Sequence, residues 1–142
     1  MKRSDIRENV FKILFRAEFN SIEEMKEQTS FYFDNELSFD SEDIELVLIS
    51  DKDKEYITNR ANAIIDKLEE IDKEITAKAT GWEPSRMGKV ELAIIRLAVF
   101  EILFDEDTPN GVAINEAVEL AKKYGQDESS AFVNGVLAKF AK

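Results

Sequence analysis

The side chains that could do chemistry in this chain are many in number and narrow in kind. It holds 30 Asp and Glu but no His and no Cys. Without histidine there is no ordinary general base near neutral pH, no Ser-His-Asp or Cys-His arrangement and little zinc or iron chemistry. Without cysteine there are no thiolate ligands, thiol nucleophiles or disulfides. Paired carboxylates could still exchange protons or hold magnesium. In 142 residues, however, 30 acids pair by chance, and solvated helix faces account for them. The stretch GWEPSRMGK (81–89) imitates a phosphate-binding loop, yet six residues separate Gly81 from Gly88 where four are needed, and Val90 stands where a metal-binding hydroxyl belongs. The chain is therefore expected to bind rather than catalyse, with no metal and no cofactor.

What it could bind is constrained by charge. The net charge of −11 argues against a surface coated for nonspecific nucleic-acid binding. The balance is uneven: residues 1–19 carry +2, residues 20–80 carry −10 and residues 81–142 carry −3. Charges more than about 8 Å apart are largely screened at physiological salt, so a slightly basic first helix can hold an anion on an acidic body. With 44% hydrophobic residues the chain can build a real core. No apolar run reaches the roughly 18 residues that span a bilayer. The start MKRSDIREN lacks the apolar segment of a secretory signal, and a cytoplasmic protein is expected.

The elements that must position any binding group read as helices, so the expected fold class is all-α. From Ser4 to about Phe19, Ile6, Val10, Ile13, Leu14 and Ala17 form one stripe that Phe11 and Phe15 widen, which predicts packing on two sides. SIEE (21–24) is a capping box opening a second helix that ends near Phe33, and DNELSFDSED (34–43) reads as an acidic linker. A further helix, from about Ser41 or Asp51 to Ile71, carries Ile57, Ala61, Ile64, Leu68, Ile71 and Ile75 as a coiled-coil-like seam, expected inside the bundle. GWEP (81–84) breaks the chain. It is expected to separate an N-terminal helical subdomain of about residues 1–80 from a C-terminal one of about 81–142, two small bundles packed as one compact unit.

The next helix, Ser85 to Phe104, is apolar almost all round and belongs at the centre of a core. Its exceptions, Glu91, Arg96 and Glu101, need partners inside the fold or on another molecule, because buried charges survive only when paired. After a turn at Pro109, VAINEAVELAKKY (112–124) is amphipathic. Gly125 reads as the left-handed residue that ends it, and Asp127 or Ser129 as the cap of the last helix. That helix, SSAFVNGVLAKF (129–140), contains Asn-Gly, the strongest short hairpin signal. Phe132, Val133, Val136, Leu137 and Phe140 nevertheless recur at helical spacing. Asn134 and Gly135 then fall on the opposite face, where glycine costs roughly 1 kcal/mol against alanine. Close approach of a neighbouring helix is expected there, with the Asn134 amide capping or bridging it and Gly135→Leu clashing.

AINEAVELAKKYG (113–125) followed by FVNGVL (132–137) resembles the C-terminal signature of the NusB family of bacterial transcription antitermination factors. RENVFKILF (7–15) is similar to the family's first helix, Trp82 and Arg86 to its entry into the central helix, and VELAIIRLAVFEIL (90–103) to that helix, with Pro109 in the family's turn. The resemblance spans essentially the whole chain, residues 20–75 adding little. It implies an all-helical fold of two subdomains, no enzymatic activity, and binding of boxA-type single-stranded RNA of nascent ribosomal RNA transcripts. The partner it implies is NusE, a small-subunit ribosomal protein, and the setting it implies is an RNA polymerase antitermination complex. RNA would run from Lys2, Arg3 and Arg7 toward Tyr124, Gly125, Glu128, Ser129 and Phe132. Phe132 reads either as a stacking surface or, from its stripe with Val136 and Phe140, as core. Candidate NusE contacts are Phe15, Phe19, Glu91 and Arg96. Family members occur as monomers and as homodimers.

The chain departs from members with an arginine-rich start, since Ser4 and Asp5 interrupt its basic residues. Electrostatic affinity follows the number of phosphates neutralised, so weak RNA binding that relies on NusE is expected. One alternative is a helical protein-interaction adaptor without RNA binding of its own. Another, the NusB-like domain of an RNA cytosine methyltransferase, is not expected, because 142 residues leave no room for a cofactor-binding α/β domain.

Overall fold

The computed structural model describes residues 2–17, 24, 29, 32 and 49–141. Among these residues it contains six α-helices and no strand, the expected all-α class. They are α1 (Arg3–Ala17), α2 (Asp51–Asp66), α3 (Leu68–Lys78), α4 (Lys89–Phe104), α5 (Asn110–Tyr124) and α6 (Ser129–Ala138), with a 3-10 turn at Pro84–Arg86. They belong to two compact units, Met1–Ile65 and Asp66–Lys142. The GWEP break lies inside the second unit, where α3 packs on α4 across it.

In the first unit Val10, Phe11, Ile13 and Leu14 of α1 are buried, an arc wider than the usual stripe of about 100°. Tyr32 is fully buried, and its hydroxyl donates to Asn9 Oδ1 at 2.8 Å while Asn9 Nδ2 donates to the Asp5 carbonyl at 2.8 Å. A buried phenol needs such a partner. α2 starts where Ser50 Oγ accepts the Asp53 N–H at 3.1 Å, the bond of a serine N-cap. Apart from Glu24, Thr29 and Tyr32, all helical, the SIEE helix and the acidic linker lie outside the described residues.

The helix expected through the isoleucine-rich stretch is not continuous. Lys67, at φ −102 and ψ 4, separates α2 from α3, while Ile57, Ala61, Ile64, Leu68, Ile71 and Ile75 are all buried. Periodic burial tolerates a local break in the hydrogen-bond ladder, so spacing alone does not reveal one.

In the second unit α4 is central and packs against α3, α5 and α6. Every residue from Leu92 to Glu101 is buried except Arg96. α4 begins at Lys89 rather than Ser85, because the turn opened by Pro84 is followed by extended backbone at Met87 and Gly88 (ψ 152 and 148). α5 begins directly after Pro109, its N-cap (φ −60, ψ 144). A proline there sacrifices no helical hydrogen bond, and Gly111 lies in the first turn.

Candidate nucleic-acid interface

The candidate residues of the first unit lie along α1. Lys2 and Arg3 are exposed at its start, and Arg7, one turn on, is half-buried. Phe15 is half-buried and stacks beside Phe11, with ring centroids 6.3 Å apart. Phe19 lies outside the described residues.

The candidates of the second unit gather around the approach to α6. Gly125 is not left-handed: φ −94 and ψ −169 are extended backbone that any residue adopts. Its smallness matters for another reason. A Cβ there would stand 2.5 Å from Ser129 Cβ and Oγ and 2.8 Å from the Ala121 carbonyl oxygen, so glycine lets Ser129 tuck beneath the end of α5. The left-handed glycine is Gly81, at φ +87, in the break before the 3-10 turn.

Ser129, 4% exposed, does not cap α6. The N-cap is Glu128, exposed and without a side-chain cap bond. Ser129 Oγ instead accepts the Gln126 N–H at 2.9 Å and donates to Glu91 Oε1 at 2.5 Å. Glu91 sits in the first turn of α4 and folds back over Gly88, where a Cβ would collide with Glu91 Oε2. One carboxylate thus ties the start of α4 to the start of α6. Arg96 is likewise satisfied within the unit, through Nε and Nη2 to the two Asp72 carboxylate oxygens at 2.9 and 2.7 Å. Two of the three charges that needed partners, Glu91 and Arg96, thus have them within this unit.

Beside that link, Trp82 meets Phe132 edge to face, with centroids 5.0 Å apart and planes at 74°. Val133, Val136, Leu137 and Phe140 are buried, while Phe132 is only half-buried at the margin of their stripe. Tyr124, half-buried, has the Lys123 ammonium 5.5 Å from its ring centroid. Asn134 and Gly135 are exposed, and a Cβ at Gly135 would meet nothing within 4 Å. Among the described residues no helix approaches that face closely, so the expected clash of Gly135→Leu finds no cause there. The reason is register: α6 turns its buried stripe to α4 and α5, leaving the Asn-Gly face outward.

The residue that sequence reasoning passed over as a site is Trp82. A single tryptophan in a chain break, on no apolar stripe, was the available signal. Among the described residues no cluster of three or more acidic side chains is placed to hold a metal ion. Within the second unit the arrangement offers rings and a fixed turn.

A family model described as the NusB family matches residues 4–142. The transcription antitermination protein NusB of Agathobacter rectalis is 55% identical, over 99% of this chain and 100% of its own length. The structure of T. maritima NusB matches with a TM-score of 0.80 at 31% identity, covering 99% of this chain and 91% of that one. A crystal structure of the antitermination factors NusB and NusE in complex with dsRNA matches with a TM-score of 0.73 at 27% identity, covering 97% and 94%.

Proposed function

The chain belongs to the NusB family, and from that premise we propose that it is a transcription antitermination factor. It binds boxA-type single-stranded RNA of nascent ribosomal RNA transcripts together with NusE, in the RNA polymerase antitermination complex. The observation that carries this reading is likeness over essentially the whole chain to a relative of that name, joined to likeness to a protein crystallised with NusE and RNA. The chain acts by binding, without catalysis, in the cytoplasm; no described helix is long and apolar enough to cross a membrane.

Lys2, Arg3 and Arg7 supply cations for RNA phosphates, and Tyr124, Gly125, Glu128, Ser129 and Phe132 supply a turn, backbone donors and rings for the strand. The exposure of Lys2 and Arg3 supports the first set, and the half-exposed Phe132 the second. Ser129 contributes by position, since its hydroxyl is committed to Glu91. NusE docks on α1 around Phe15, with Glu91 and Arg96 retaining their internal bonds.

Fluorescence anisotropy of a short boxA-type RNA, titrated with and without NusE at two salt concentrations, tests this. Binding should tighten with NusE and weaken with salt. Replacing both Lys2→Glu and Arg3→Glu, at exposed positions, should lower affinity without unfolding. It should also flatten the salt dependence by about 1.4 in log–log slope, at about 0.7 per phosphate contact on a single strand. An absence of RNA binding under every condition would make the protein a helical interaction adaptor. Light scattering at two concentrations separates monomer from homodimer.

A further inference from the structure

The exposed rings of this protein are not equivalent. Tyr56 is 47% exposed, but its hydroxyl accepts a bond from Arg60 at 2.7 Å, and that guanidinium stands 5.5 Å from the ring centroid. Phe104, 39% exposed, has the Lys67 ammonium at 5.2 Å, and half-buried Tyr124 has Lys123 at 5.5 Å. A cation over a ring occupies the π face that another group would need. Trp82, 48% exposed, differs. Its ring neighbour is Phe132, and among the described residues no cation stands over either of the two.

The backbone that carries the indole is also held in place before any ligand arrives, and the ring rests against Phe132. Gly81 turns the chain at φ +87, the Trp82 backbone N–H donates to the carbonyl of buried Ala79 at 2.8 Å, and Pro84 opens a 3-10 turn just beyond. Phe132 lies one turn after Ser129, whose bond to Glu91 fixes the start of α6. The segment carrying the indole is basic, with Lys78, Arg86 and Lys89 against Glu83, in a chain of net charge −11. A fixed, half-exposed ring with cations along its own segment matches the two needs of a single strand, a stacking surface and phosphate neutralisation.

We infer that Trp82 is the platform on which an unpaired RNA base stacks, with Phe132 as its edge-on brace. This rests on the RNA-binding reading above and assigns the stacking ring within it. Trp82 is the only tryptophan, so its emission reports on this site alone. In a titration with short single-stranded boxA-type RNA, with NusE present, its emission should fall in step with the anisotropy of the labelled RNA. Trp82→Leu keeps an apolar side chain against Phe132 and should weaken binding by about 5- to 150-fold, the range for losing one stacked base. Trp82→Phe should restore most of it, and thermal melts check that both variants fold. The wild-type quenching decides the question even where Trp82→Leu does not fold. Rising anisotropy with unchanged emission would place the stacking ring elsewhere and leave the RNA-binding reading standing. Unchanged anisotropy, with and without NusE, would overturn both. Emission that responds to NusE alone and is indifferent to RNA would make the ring a protein contact and overturn the inference.

Discussion

Gly125 and Gly135 flank the first two turns of α6, and their surroundings are opposite. Around Gly125 the chain is crowded: a Cβ would press on Ser129 and on the Ala121 carbonyl oxygen, and the space saved lets Ser129 reach both Gln126 and Glu91. Around Gly135 no described residue comes within 4 Å of a Cβ. One glycine is required by its neighbours, and the other carries only the helix penalty of its residue type. A glycine in a sequence therefore marks a question about space, and tertiary neighbours answer it.

The contrast can be broken by substitution. Gly125→Val should have the largest effect, because the obstructing atoms include backbone that cannot swing away. A loss of about 3 kcal/mol is expected, at the upper end of overpacking costs, read as a lowered urea midpoint at unchanged m-value. A Gly125→Val protein that unfolds like wild type would show that Ser129 relaxes freely and that the crowding is not restrictive. Ser129→Ala should cost about 1–2 kcal/mol, since it strips a partner from the Glu91 carboxylate and from the Gln126 N–H. A neutral result in the same measurement would mean that water replaces the hydroxyl. Gly135→Ala should have the smallest effect and the opposite sign, a gain of about 0.5–1 kcal/mol from helix propensity. Destabilisation there would reveal a close neighbour that α6 does not show.

Much of the fold was legible because it rests on periodicity. The stripe of α5, with Ala113, Ala117, Leu120 and Ala121 buried and Asn115, Glu119, Lys122 and Lys123 exposed, follows from spacing at 3.6 residues per turn. The helical reading of α6 against its hairpin dipeptide has the same basis, since five apolar residues outweigh one turn signal. Less of the candidate site was legible. Lys2 and Arg3 could be named as surface cations, but the Asp72 partner of Arg96, 24 residues away, and the Ser129 partner of Glu91, 38 residues away, could not. The break at Lys67 was hidden as well, because no proline or glycine marks it.

By itself, the sequence determined the helical class, the faces that turn inward and the lack of histidine and cysteine chemistry, all properties of residue type and short-range spacing. The family likeness also lies there, in AINEAVELAKKYG and FVNGVL. Only the tertiary structure decided which glycine is crowded, which charges are already paired, and that Trp82 rests half-exposed against Phe132 with no cation over its ring among the described residues. The physical reason is range. Periodicity is set within one or two helical turns, whereas a carboxylate's partner or a ring's free face depends on which helices meet and at what rotation.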